Sequence, residues 1–100
     1  MPKYYVYLVA DRRNGQLDCG VADNLVHRMW RHRAGQIEGA GAMLVWYEEY
    51  LDMRSTLRRQ TQIERASRDW QLRLVEQQNP GWRDLYETLL PGQPVQAVAA

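Results

Sequence analysis

Apolar and aromatic residues fall into short runs separated by polar, Gly-containing breaks. Tyr4-Tyr5-Val6-Tyr7-Leu8-Val9 is rich in the aromatic and β-branched side chains that suit a pleated surface, and a second short run follows at Leu17-Asp18-Cys19-Gly20-Val21. Between them stands Asn14-Gly15, the strongest short hairpin signal, because both central positions of a type I′ turn need positive φ. The pattern predicts a β-hairpin. After Val21 the period changes: Asp23 is a good N-cap for a helix running to about Gly35, with Leu25 and Met29 four apart on its core face. Arg28 and His32 are also four apart and share a second face with Asn24, off the Leu25/Met29 stripe.

A Gly/Ala-rich passage, Gly35 to Ala42, leads to Met43-Leu44-Val45-Trp46-Tyr47-Glu48-Glu49-Tyr50, a third strand. Its first half is apolar throughout, which predicts burial on both faces and a central place in the sheet. Asp52 caps a second helix reaching into the 60s, and a third follows to about Gln78, with Trp70, Leu74 and Val75 at helical spacing. Asn79-Pro80-Gly81 stops that helix, and a last turn around Trp82-Arg83-Asp84-Leu85-Tyr86 is expected to pack its aromatics back on the body. From Pro91 the tail carries no pattern and is expected to be disordered. The fold class is therefore α/β (α+β), a three-stranded antiparallel sheet flanked by helices in the order β-β-α-β-α-α. Residues 1–90 form a single domain and residues 91–100 a tail.

At 100 residues, 45% hydrophobic and 25% charged, the chain is long enough for one core and not for two. Its apolar runs are far shorter than the roughly 20 residues a membrane helix needs, and no secretory signal pattern opens it, so a cytoplasmic, non-membrane protein is expected. One cysteine, Cys19, excludes an internal disulfide and a Cys-rich zinc site, and reads as a small buried thiol. The net charge of +1 is too small to imply nucleic-acid binding by itself, yet its distribution is uneven. Residues 1–33 sum to +3, residues 34–53 to −4, residues 54–73 to +4 and the remainder to −2. Twelve of the thirteen basic residues are Arg, whose planar guanidinium can fork onto a phosphate. Arg54, Arg58, Arg59, Arg65, Arg68 and Arg73 line either a phosphate-tracking face or an ordinary exposed helix surface.

Tyr5-Val6-Tyr7 and, after the turn, Asp18-Cys19-Gly20 resemble the paired tripeptides of the GIY-YIG nuclease superfamily, and specifically its small stand-alone bacterial members. The likeness continues through Leu25, Arg28 and His32, then Leu44-Val45-Trp46-Tyr47-Glu48-Glu49, Leu57-Arg58-Arg59, Trp70, Leu74 and Asn79 to Tyr86. It implies metal-dependent cleavage of a nucleic-acid phosphodiester, with Mg²⁺ or Mn²⁺ polarising the phosphate, a tyrosine oxygen helping to deprotonate water and an arginine steadying the charge gained at phosphorus. By that resemblance Tyr7, Arg28 and His32 match catalytic positions. Two positions depart: Asp18 stands where a second tyrosine is expected, and Gln60 where a glutamate would hold the metal. An amide oxygen offers a hard dication a dipole in place of a charge.

Three functions are compatible with this pattern. The leading one is a nucleic-acid-binding pseudo-enzyme, with DNA favoured over RNA, that uses Arg28, Arg31, Arg58 and Arg59 and has impaired or lost cleavage. The second is an active endonuclease with a displaced metal site built from Glu64, one helical turn beyond Gln60, and Asp18. The third is a protein-interaction module whose cleft docks a protein partner. Trp30, Trp46, Trp70 and Trp82 are expected to pack in the core or as a lid; of the four, Trp30, between Arg28 and Arg31, is the one for which stacking on a base is the alternative.

Overall fold

The computed structural model describes residues 3–37 and 41–90; the tail from Pro91 lies outside the described residues. Strands β1 (Tyr4–Ala10) and β2 (Leu17–Ala22) are followed by α1 (Leu25–Arg33), β3 (Met43–Tyr50), α2 (Met53–Arg65), α3 (Arg68–Gln78) and a 3₁₀ turn, η1 (Leu85–Leu89). The three strands form an antiparallel sheet in the order β2-β1-β3, the expected α+β fold with its expected element order.

The twofold alternation of β1 divides the interior into two layers. Val6, Leu8 and Ala10 pack with Ile63 of α2, Leu74 and Val75 of α3, and Trp82. Tyr7 and Val9 face the other way, toward Leu25 and Met29 of α1 and the partly buried Leu85, Tyr86 and Leu89 of η1. Cys19 belongs to the first layer, where burial pushes its thiol up to about 12, with the Glu64 charge adding and Arg59 opposing.

Four local expectations are corrected. The hairpin does not close on a two-residue type I′ turn: β1 ends at Ala10 and β2 begins at Leu17, and the loop between is closed by Gly15 N donating to Arg12 O (2.9 Å). Asn14 takes a positive φ of 56° and Gly15 does not. Asp11 Oδ1 accepts from Gln16 N (3.1 Å) and Arg68 donates to the Asn14 and Gly15 carbonyls (2.7 and 2.9 Å), so tertiary bonds hold a longer loop than the dipeptide alone would make.

The cap of α1 is Asn24 rather than Asp23, its side chain accepting from His27 N at 3.0 Å. His32 lies on the buried side of that helix at 8% exposure, where the sequence put it off the core stripe. The third strand is at an edge. Leu44, Val45 and Trp46 are buried because packed elements cover both faces of the sheet, not because strands flank β3 on both sides. A bulge between Leu8 and Val9 leaves Val45 as the extra residue. Two backbone groups there are taken by side chains: Leu44 N donates to Asp84 Oδ1 (3.2 Å) and Val45 O accepts from Asn79 Nδ2 (3.0 Å).

Asp52 and Ser67 cap α2 and α3 through Ser55 N and Trp70 N. Asn79 ends α3, and its side chain bridges to both Arg83 O and Arg83 N, which turns the chain so that Trp82, at φ 53°, is buried. Asp84 then ties three elements: it caps η1 at Tyr86 N, accepts from β3 and pairs with Arg33 at the end of α1.

Candidate functional site

Tyr7 is the centre of the arrangement. In register it faces Gly20 on β2 and Tyr47 on β3, and its ring lies across the glycine. A Cβ added at Gly20 would stand 2.4 Å from both Cζ and the hydroxyl oxygen of Tyr7, so the strand can pass under the ring only without a side chain there. This is the physical reason for a tyrosine in the first tripeptide and a glycine in the second.

The Tyr7 hydroxyl lies 3.1 Å from His32 Nε2, with the rings edge to face at 5.7 Å and 80°. Helix α1 makes this meeting possible because Leu25, Met29 and His32 share its buried side. Arg28, one turn before His32, brings its charge close to the same hydroxyl. The other ring nitrogen of His32, Nδ1, is buried without a hydrogen-bond partner.

Burial raises the Tyr7 pKa, and the charges of Arg28 and then Arg31 oppose the rise, while Cys19 adds to it. Burial lowers that of His32, helped by Arg28 and Arg31 and opposed by Asp18. Asp18 pairs with Val9 on β2 and, two residues before Gly20, shares the Tyr7 face. Both central groups are thereby held neutral near pH 7, next to two cations and one carboxylate. Such a set suits an incoming phosphate, which can accept from the guanidiniums and meets a phenol and an imidazole able to pass a proton.

The depressed His32 pKa has a stability consequence. The unfolded chain binds a proton near pH 6.5 and the folded chain only at lower pH, so stability is present above 6.5 and is lost as pH falls below it. Thermal melts should therefore fall on acidification through that window, and His32→Gln, which cannot titrate, should fall less. Parallel pH profiles for the two proteins would refute this assignment.

The other expected site residues are distributed differently. Thr56 and Ile63 mark the sheet-facing line of α2, with Arg59 on one flank and Gln60 and Glu64 on the other at about 100° per residue. Arg59 leans to β3, where it forks onto Glu48 (2.9 and 3.2 Å), donates to Gln62 (2.6 Å) and lies 5.7 Å from the rings of both Trp46 and Trp70. These contacts brace the α2/β3 junction. Arg58 points outward from α2, away from the Tyr7 face, and is exposed. Gln60, half-buried, stands on the β2 side of α2, where Glu64 also lies within electrostatic range of Cys19. Arg68 holds the hairpin loop.

Sequence reasoning missed Tyr5 and Tyr47, whose rings meet edge to face at 6.2 Å beside Tyr7. The signal was available, since Tyr5 is two residues from Tyr7 on the same face.

The donor set does not fit a divalent ion. Gln60 supplies a neutral amide, and among the described residues no three His, Cys, Asp or Glu side chains gather as metal ligands. Also among the described residues, no helix is long and apolar enough to cross a membrane.

No family model and no curated protein matches this chain. A solved structure does: a UPF0213 protein of Bacillus halodurans, determined in solution by NMR, is similar with a TM-score of 0.56 and 18% sequence identity, over 92% of this chain and 99% of that one. At that identity the likeness concerns the fold alone, and the fold is of the GIY-YIG-like type.

Proposed function

We propose that this chain is a degenerate member of the GIY-YIG nuclease superfamily that binds nucleic acid, DNA in preference to RNA, with phosphodiester cleavage impaired or lost. The observation that carries the reading is the buried Tyr7 hydroxyl 3.1 Å from His32 Nε2, with the Arg28 charge acting on both groups. Keeping a phenol, an imidazole and a guanidinium converged costs stability, because polar groups must be desolvated and one ring nitrogen is left unpartnered. A phosphate-binding groove gives that arrangement a use. Tyr7 and His32 orient the bound oxygen, Arg28 and Arg31 neutralise it, and Gln60 in place of a carboxylate removes the means to hold a metal.

Binding to a DNA fragment should weaken steeply with salt. Arg28→Ala should weaken it by about tenfold or more at low salt, as expected for loss of a charge-assisted bond. Its salt slope should fall by about one unit, the signature of a lost phosphate contact. An affinity indifferent to salt would reject the groove as a phosphate site.

One observation favours a second reading, a docking module for a protein partner: Leu51, Met53 and Leu57 are exposed together at the start of α2, at 57%, 42% and 47%. Binding of a protein that survives both high salt and Arg28→Ala would support it.

A further inference from the structure

Among the described residues the large exposed apolar side chains are Leu51, Met53, Leu57 and Trp30, and only Trp30 is aromatic. Trp30 is 51% exposed on α1, with its ring stacked on that of His27 at 6.1 Å and 12°. A tryptophan held flat against a neighbouring ring on a helix surface is pre-ordered, since the stacking restricts its rotamers before anything binds. Its surroundings are cationic: α1 carries Arg28 and Arg31, with no acid in its first turn.

Helical geometry sets these groups in order around α1. At about 100° per residue, Trp30 and His27 are about 60° apart, Arg31 follows about 40° further round, and Arg28 another 60°. The series starts at Trp30 on one flank, passes the outermost side of the helix at His27 and ends at the edge of the buried side, where Tyr7 and His32 meet. From Trp30 to Arg28 is slightly under half the circumference, ~15 Å on a helix about 10–12 Å across with its side chains. A strand whose phosphate is held at Arg28 can cross Arg31 with the next phosphate and bring a following base over the Trp30 ring.

We infer that Trp30, backed by His27, is a stacking platform for an unpaired nucleobase, so that the protein prefers single-stranded or frayed nucleic acid to intact duplex. This rests on the phosphate-binding reading of the Arg28 groove and extends it to a substrate class. A base suits the platform because every base has a flat π-face, and a duplex keeps those faces occupied by its own stacking. Flanking guanidiniums complement the phosphates on either side of that base.

The test is equilibrium binding of the full chain to a labelled single-stranded oligonucleotide and to the blunt duplex of the same sequence, at one low salt concentration. Trp30→Ala should weaken single-strand binding about tenfold, the scale of one lost base–aromatic stack, and leave the duplex nearly unchanged. Trp30→Phe should restore most of the loss, and His27→Ala should give a smaller loss of the same kind. Because Trp30 is exposed, these variants are expected to melt with the wild type. Unchanged single-strand affinity in Trp30→Ala, while Arg28→Ala weakens both ligands, would overturn the platform and leave the phosphate groove standing. Equal losses on single strand and duplex would overturn it too. Failure of the wild type to bind either ligand would overturn the groove and the platform together.

Discussion

Gln60→Glu combined with Asp18→Tyr is expected to raise cleavage of plasmid DNA in the presence of Mg²⁺ or Mn²⁺ well above that of the unsubstituted protein. The gain should be at least about 100-fold over the wild type, the lower range for a restored general base, before any contribution from the metal. The expectation rests on where the two positions stand. Asp18 lies on β2 in the face that Tyr7 and Gly20 share, and Gln60 is half-buried on the β2 side of α2. Cys19 of β2, facing α2, lies within electrostatic range of both Tyr7 and Glu64 across the sheet. A carboxylate at position 60 would add a full charge for a hard cation where the amide offers a dipole. Gln60→Glu alone should bind metal and cut weakly, and adding Tyr7→Phe to the double variant should abolish the gain. Silence of the double variant with either metal, in a protein that folds, would remove the nuclease ancestry of the groove from consideration.

Asn79→Ala should be the most destabilising single truncation outside the apolar core. Asn79 is 5% exposed, and its amide donates to Val45 O and Arg83 O while its oxygen accepts from Arg83 N. Alanine leaves the bulge carbonyl of β3 buried without a donor and frees the turn that inserts Trp82. Unmet buried groups of this kind cost about 3 kcal/mol together. For a domain of this size that is a fall of about 12–24 °C in the melting midpoint. Asn79→Asp should also destabilise, because it keeps the acceptor and loses the donor. A melting midpoint equal to that of the wild type would show that the Val45 carbonyl finds another partner.

The fold was legible wherever one residue type leaves few options. Aromatic and β-branched runs gave the strands, Asp52 gave the start of α2, and Asn79-Pro80-Gly81 ended α3, as the structure has them. The errors share a cause. Asp23 and Asn24 are both competent caps, and which of them accepts from His27 N depends on where β2 releases the chain. Asn14-Gly15 carries a strong turn preference, but Asp11 and Arg68 bond a longer loop and outweigh it. An apolar run marks a strand buried on both faces without saying whether strands or helices do the burying, so β3 could be at an edge.

The candidate site divides in the same way. Tyr7, Arg28, His32 and Asp18 were named from sequence; Tyr7 meets His32, and Arg28 and Asp18 lie within electrostatic range of that imidazole. Arg59 was indistinguishable from Arg58 by type and neighbourhood, yet it is spent on Glu48, Trp46 and Trp70. No local pattern reveals that, because its partners come from β3 and α3.

By itself, then, the sequence determined the elements, their order and the residues able to do chemistry, since propensity, periodicity and capping act within a few neighbouring positions. Tertiary structure alone decided that the Tyr7 ring crosses Gly20, that His32 turns inward to meet its hydroxyl, and that Gln60 and Glu64 lie on the far side of the sheet. Those facts depend on strand register and on which helix covers which face, and both are set by contacts between residues distant along the chain.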